Sequence, residues 1–495
     1  MTEENTEYKK TFKNTLAFGG VQVFNILISL IRGKCIAVLL GPTGMGINSL
    51  LNTSISLIST LSGLGLELAA VRELSESNID EDPGQFPKTV SIINKLFFYT
   101  GILGGVITIV LSPFLSKWSF DNYDYTWSFV FLSFVLFFTA ISRGQGAILR
   151  GLRRVDFIIK SGLYASVIGL VTSIPLFYFF GNQGIVPSLI ITAATTLIIS
   201  NFYLKKLGLN TVFVAQKEVI SEGITMAKLG MMLIIATLLG NLTRFGINIF
   251  IGKFGDIGDI GLYAAAIAIS GQYIGFVLTS LSADYFPRLA AVTKDQEKMN
   301  LVVNEQIQIV LLLASPLLIL MLIMAPVMIH IMLSSEFLVI TDFIRFVALG
   351  SFFQAVSFCL GYISFAKNDK KTYFLVEGLL SNILQFGLTI AFYYVWGIKG
   401  LGYAFLATYL IYFVLLFYTT KLKYSYKMSG TVAALFFKML LLISLCFGVF
   451  LLLDATMAYV IGAVLFILSL LFSYRELNRV IPVKAFISGK LNRKK

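Results

Sequence analysis

Charge is scarce in this sequence. Asp, Glu, Lys and Arg make up 13% of its 495 residues, against about a quarter in soluble chains. With 57% of the chain apolar, that shortage excludes a soluble globular body, because core volume grows too slowly against surface to hide so much hydrocarbon. Histidine is reduced to His330 alone, which excludes a multi-histidine metal centre and leaves little room for catalysis through imidazole. The three cysteines, Cys35, Cys359 and Cys446, lie far apart in apolar runs, so neither zinc-ligand spacing nor a paired disulfide framework is present. Acidic residues are outnumbered, giving a formal charge of +13. That excess invites a nucleic-acid reading, which the loop positions described below replace with a membrane one.

Catalytic motifs are missing too. Gly41-Pro42-Thr43-Gly44-Met45-Gly46 is glycine-rich, yet it joins two apolar runs and is neither a phosphate loop nor a dinucleotide turn. Asn52-Thr53-Ser54 and Asn241-Leu242-Thr243 match the glycosylation pattern by accident of composition. With no nucleotide-hydrolysis motif and no catalytic constellation, the chain is read as no enzyme, without a cofactor or metal. Its work is driven by an ion gradient, of sodium or protons, or by consumption of its product.

What the sequence does have is long apolar runs from end to end, many of 20 or more residues. A bilayer core about 30 Å thick takes roughly 20 helical residues per crossing. The expected fold is all-α and integral to the membrane, with fourteen transmembrane helices from 15–40 and 45–71 through to 431–453 and 457–474. No small-residue cleavage site follows the first run, so it is expected to be retained as a span. Lys and Arg crowd the N-terminus, the even-numbered connections and the C-terminal tail, whereas the odd-numbered connections hold only Lys117, Lys253 and Lys399. By the positive-inside rule both termini are cytoplasmic.

Helices one to six and seven to twelve read as copies. A shift of 216 residues lays Asn25 on Asn241, Gly162 on Gly378, Gly181 on Gly397, Gly184 on Gly400 and Lys205 on Lys421, and Gly46 fits Gly261 at a shift of 215. Six is an even number, so the repeats are parallel and related by an axis along the membrane normal. The expected organisation is a six-helix bundle over 1–210, a second over 211–425, and two additional helices with a basic tail over 426–495. Two like bundles around a central cleft suit alternating access.

Charge inside a membrane costs about 2.5–3.5 kcal/mol on insertion scales and is usually there for a use. In helix one, Gln22, Asn25, Ser29 and Arg32 follow at spacings of three, four and three, along one helical face. Thr237, Asn241, Arg244 and Asn248 make a second stripe in helix seven. Helix two adds Asn48, Asn52, Ser56, Ser59 and Glu67, and helix eight adds Tyr273 and Asp284. Arg143 and Arg150 reach the cytoplasmic mouth from the last turns of helix four. Arginine keeps its charge in any surroundings and grips phosphate through a planar fork. A cationic cleft of this kind suits a pyrophosphate headgroup, with Asn, Gln, Ser and Tyr left for sugars. Glu67, Asp284 and Glu377, near the cytoplasmic ends, are candidates for binding a coupling sodium ion or proton. Blander readings compete: Glu67 pairs with Arg72, Asp284 with Arg288, and Lys34, Lys367 and Lys438 only snorkel to an interface.

Three blocks carry a resemblance. The first is Gly33-Lys34-Cys35-Ile36-Ala37-Val38 followed by the Gly41–Gly46 turn. The second is Tyr273-Ile274-Gly275-Phe276 with Ser280, Ser282, Pro287, Leu289 and Thr293. The third runs from Gly361-Tyr362, Ala366-Lys367, Tyr373, Leu375 and Glu377 to Ala407-Thr408-Tyr409 and Tyr412. In this order they resemble the O-antigen and enterobacterial common antigen flippases of the multidrug/oligosaccharidyl-lipid/polysaccharide exporter superfamily. The resemblance implies two six-helix bundles in a V around a central cavity. It further implies transfer of an undecaprenyl-pyrophosphate-linked oligosaccharide, an O-antigen-like repeat unit, to the periplasmic leaflet of a bacterial inner membrane. Membrane lipid, a polysaccharide polymerase and chain-length proteins are the implied partners, with no nucleic acid. Helices thirteen and fourteen depart from the twelve-helix flippases and are shared with lipid II flippases, which leaves the substrate open. A multidrug antiporter of the same superfamily is the competing reading, since Glu67, Asp284 and Glu377 would suit organic cations. A non-transporting scaffold explains neither polar stripe.

Overall fold

The bilayer leaves backbone groups no water to bond, so a spanning segment must satisfy them within its own helix. The described residues do so throughout: they form helices, with no strand among them. The computed structural model describes residues 3–76, 85–209 and 212–480, with the side chains of 3–23, 25, 155, 229, 232, 233, 276, 283 and 480 outside that description. In chain order the helices are α1 (Glu3–Gly63), α2 (Leu66–Glu76), α3 (Gln85–Phe120), α4 (Thr126–Gly151), α5 (Val155–Phe180), α6 (Ile185–Lys205), α7 (Gln216–Phe254) and α8 (Ile257–Ala291). They continue with α9 (Gln296–Met332), α10 (Thr341–Ala366), the single turn α11 (Lys370–Thr372), a π-helix over Tyr373–Leu380, α12 (Ser381–Tyr424), α13 (Gly430–Leu452) and α14 (Ala455–Val480). Among the described residues, eleven stretches are long and apolar enough to cross a membrane. Three of these, Ile26–Gly63, Asp156–Lys205 and Lys370–Tyr424, are broken by glycines in the left-handed region: Gly41 (φ 65°), Gly181 (φ 53°) and Gly397 (φ 57°).

By packing, the chain divides into two compact units: Met1–Gly261 with Met332–Ser334, and Leu262–Ile331 with Ser335–Lys495. In the first unit α3 packs on α4, α4 and α5 pack on α6, and α7 packs against α1, α2 and α3. Its core beneath α2 joins Leu66 and Ala70 to Val90, Ile93, Ala147 and Ile148, and extends to Val214 and Val219. The connection into α7 is tied to α3, where Val212 N–H donates to Ser91 Oγ at 3.0 Å and Lys95 Nζ donates to the Val214 carbonyl at 2.8 Å. At the other end of α7, the Gly41–Gly46 elbow meets the start of α8. A Cβ on Gly46 would strike the Ile257 carbonyl, and one on Gly261 would strike that of Pro42. Gly46 and Gly261 are 215 apart in sequence, as are Pro42 and Ile257, so the contact is reciprocal.

In the second unit α9 and α10 carry much of the core, with Ile307, Val310, Leu318, Phe337, Ile344 and Val356 fully buried. An apolar groove of about 440 Å³ runs between α8, α9 and α14, lined by Leu281, Leu313, Pro316, Leu470 and Leu477 among others. Loops at one end are bound together. Gln296 Nε2 donates to the Tyr424 carbonyl at 2.8 Å, Asn304 Nδ2 to that of Lys427 at 2.9 Å, and Lys423 Nζ meets Asp369 Oδ2 at 2.6 Å.

The expected helix over 45–71 is corrected. It breaks at Leu64 and Gly65, with φ of 48° and 68°, and α2 restarts beyond as a separate piece. The physical reason is close packing: Gly65 lies backbone to backbone on Gly230 of α7, where neither residue has room for a Cβ.

Candidate functional site

Polar residues of the first unit gather where α1, α2, α4 and α7 meet. Two asparagines from the α7 stripe pin it to the second half of α1. Asn241 Nδ2 donates to Thr60 Oγ1 at 2.9 Å and toward the Ser56 carbonyl at 3.4 Å. One heptad on, Asn248 Nδ2 donates to Ser49 Oγ at 3.1 Å and Thr53 Oγ1 at 3.3 Å. Amide-to-hydroxyl bonds of this kind join membrane helices where apolar contact alone gives little preference over lipid. Asn52 is occupied within its own helix, donating to the Asn48 carbonyl at 2.8 Å and to its side-chain oxygen at 3.0 Å.

Beside these bonds lies a cavity of about 540 Å³, lined by Ser56, Ser59, Thr60, Glu67, Phe97, Arg143, Thr237 and Asn241, with Gly63 and Gly65 at the helix break. Irregular backbone at membrane depth is tolerated where it lines such a space. Arg143 enters it from α4 and forms no ion pair among the described residues. Arg150, two turns further along α4, is paired with Glu67 across 83 residues of sequence. The expected Glu67–Arg72 pair is thereby corrected: Arg72 Nε bonds Glu76 Oε1 at 2.7 Å, one turn along α2 and facing away. Arg244 is exposed and Arg32 half-buried, neither forming an ion pair among the described residues, and neither is among the residues lining this cavity. Ser29 is exposed beside Arg32. The side chains of Gln22 and Asn25 lie outside the described residues.

The other candidates lie in the second unit. Asp284 is paired with Arg288 at 3.3 Å, as the local reading expected, and Arg288 also holds Glu305 at 2.8 Å. Tyr273 is half-buried on α8. Glu377 sits on the π-helix, a local form often found at functional sites. Its Oε1 is buried without a well-formed hydrogen bond, with the Tyr412 hydroxyl beside it, and it fills the space left by the missing side chain of Gly361. Among the described residues no group of three or more His, Cys, Asp or Glu is placed to hold a metal.

Sequence reasoning missed Ser49, Thr53 and Thr60 as partners of α7, although each is spaced on the α1 face that carries Asn52 and Ser56. It also missed the Arg150–Glu67 pair. Nothing local links two residues that far apart in sequence.

Residues 35–342 match the model of a family described as polysaccharide biosynthesis protein. Lipid III flippases of Escherichia coli K12 and Shigella flexneri are each 22% identical over 393 residues, covering 78% of this chain and 92% of theirs. Among solved structures, the lipid II flippase MurJ in an inward closed conformation superposes with a TM-score of 0.72 at 15% identity, covering 94% of this chain and 99% of that one. An inward-facing multidrug resistance MATE family transporter of the MOP superfamily gives 0.63 at 14% identity, covering 83% and 95%. These likenesses bear out the resemblance read from the three sequence blocks and fix the fold class as a multi-pass helical transporter fold. The family match spans more than half of the chain, from the first apolar hairpin to α10, and on that extent the chain belongs to the polysaccharide biosynthesis protein family.

Proposed function

We propose that this chain is a flippase that carries an undecaprenyl-pyrophosphate-linked oligosaccharide from the cytoplasmic to the periplasmic leaflet of a bacterial inner membrane by alternating access, with both termini cytoplasmic. The observation that carries the reading is the first-unit cavity, where an arginine without an acidic partner faces hydroxyl and amide groups. A guanidinium of this kind suits phosphate, and the hydroxyls and amides suit sugars. The lipid III flippases that resemble the chain act on a lipid-borne substrate and support the same class. Arg32 and Arg244 serve the headgroup at another stage of its passage, with Ser29, Asn25 and Gln22 on the same helical face as Arg32.

Fourteen crossings fit the eleven spanning stretches if each of the three glycine-broken ones counts as two. The six-helix repeat is supported by matched detail. Gly181 and Gly397 share a φ near 55° with ψ of −134° and −139°. A Cβ on Gly184 would strike the Leu176 carbonyl, and one on Gly400 would strike that of Phe392, positions related by the same shift of 216. Of the three coupling candidates, Glu377 suits the part best, because Glu67 and Asp284 are engaged with arginines.

The test is the triple substitution Arg143→Ala, Arg32→Ala and Arg244→Ala. Surface polysaccharide is expected to disappear while the protein stays in the membrane at its normal level. Normal polysaccharide in that strain would remove the reading. A cation antiporter is the second reading, favoured by the buried carboxylate of Glu377. Gradient-driven efflux of organic cations from vesicles, blocked in Glu377→Gln, would establish it instead.

A further inference from the structure

Arg143 and Glu67 line the first-unit cavity, and Arg150, which is not among the lining residues, pairs with that Glu67. Arg143 and Arg150 are seven residues apart on α4, hence on one face about 10 Å apart along the axis. Gly146 lies between them. A Cβ there would touch Arg150 Nη2 at 3.6 Å, so the Arg150 side chain folds back along its helix toward Arg143 instead of reaching out beyond the helix end. Glu67, which lines the cavity with Arg143, holds Arg150 in that pose. Its own helix, α2, hangs from the Leu64–Gly65 break. Leu64 there adopts a left-handed φ of 48°, a conformation that a leucine rarely takes and that neighbouring structure must enforce.

We propose that Glu67 is a resident counter-anion that sets charge selectivity: a phosphate headgroup enters by displacing it from Arg150 and is then held by Arg143 and Arg150 together. The inference rests on the cavity being the headgroup site of a flippase. A carboxylate and a phosphate use the same pair of parallel guanidinium donors, so both cannot occupy Arg150 at once. A diphosphate bridges the two arginines and outcompetes one carboxylate. A phosphodiester lipid carries a single negative charge, so it gains little over Glu67 and is turned away, although such lipids surround the protein in excess. Discrimination comes from the competing internal anion as much as from the attraction. Once displaced, Glu67 no longer pairs with Arg150, while the apolar core beneath α2 keeps that helix on α4.

The experiment measures binding of farnesyl pyrophosphate and of dioleoyl phosphatidylglycerol to the purified full chain in neutral detergent. Glu67→Gln is expected to tighten the phosphatidylglycerol interaction about tenfold and the pyrophosphate interaction by a smaller factor, so that selectivity narrows. Glu67→Asp, with its carboxylate withdrawn by one methylene, falls between. In an Arg150→Gln background the gain from Glu67→Gln disappears. Unchanged or weaker binding of both probes in Glu67→Gln, or a gain that persists without Arg150, overturns the inference. If the wild type binds farnesyl pyrophosphate and Arg143→Gln weakens it, yet Glu67→Gln changes nothing, only this inference fails. If the wild type ignores farnesyl pyrophosphate, or Arg143→Gln leaves its binding intact, the headgroup reading of the cavity fails as well.

Discussion

The two units treat their charges in opposite ways. In the first, Arg32, Arg143 and Arg244 have no acidic partner among the described residues, while Arg150 is neutralised by a carboxylate from another helix and Arg72 and Arg154 by near neighbours in sequence. In the second, the arginines of α8 and α10 are spoken for: Arg288 by Asp284 and Glu305, Arg345 by Asp342 and the ring of Phe450. An unpaired cation at membrane depth is costly and is kept where it has a use, whereas a paired one serves packing and loop anchoring. On the proposed reading, anion recognition is concentrated in the first unit and mechanical order in the second.

The shared backbone is open to the harshest test. Gly184→Ala and Gly400→Ala each push a methyl group into a backbone carbonyl from before the glycine break, Leu176 in one unit and Phe392 in the other. Backbone cannot swing aside as a side chain can, so each substitution is expected to cost about 1–3 kcal/mol, read as a loss of thermal stability in detergent. Matching losses sharpen the case for duplicated units. A large loss in one with none in the other breaks it.

These glycines were legible in sequence because they stand at one fixed spacing where the geometry has no room for a side chain. Gly181 and Gly397 hold left-handed backbone, and Gly184 and Gly400 hold close approaches, and both pairs stand 216 residues apart. The helical membrane class was legible for a similar reason: hydrocarbon thickness sets a length that composition reveals. The break at Leu64–Gly65 was not, since one left-handed leucine and one glycine opposite Gly230 leave no local pattern. Nor was the occupation of Glu67 by Arg150 in preference to Arg72. Helical spacing makes neighbours of residues three or four apart. Arg72 lies five from Glu67 and instead pairs four on, with Glu76.

The charge contrast predicts a separation of stability from transport. Arg345 is 13% exposed, bonds Asp342 at 3.0 Å and lies 4.7 Å over the Phe450 ring. Arg345→Ala is expected to lower stability by about 1–2 kcal/mol through lost packing and a stranded carboxylate. Transport per folded molecule should stay near normal. Arg143→Ala should do the reverse, changing stability by less than about 0.5 kcal/mol while sharply reducing flipping of a pyrophosphate-linked lipid in reconstituted vesicles. If both substitutions cut transport equally per folded molecule, the contrast between the units collapses.

The smallest effect concerns the loops that order the second unit. The Asp369 carboxylate is held well below the usual carboxylate range, first by Lys423 and then by the Thr372 N–H, with the Tyr424 hydroxyl adding a further bond. A depressed folded-state pKa stabilises the fold above the unfolded value, about 3.9 for Asp. That contribution fades as pH falls through the folded value, because the unfolded chain takes up its proton first. Wild type and Asp369→Asn are therefore expected to differ modestly in unfolding temperature at pH 6–7, and to converge as the pH drops below about 4. No such anchor ties Arg143 in the first unit, so Arg143→Ala should shift stability equally at both pH values. A gap between wild type and Asp369→Asn that stays constant down to the acid limit would mean that Lys423 and Thr372 hold Asp369 no more tightly than water does.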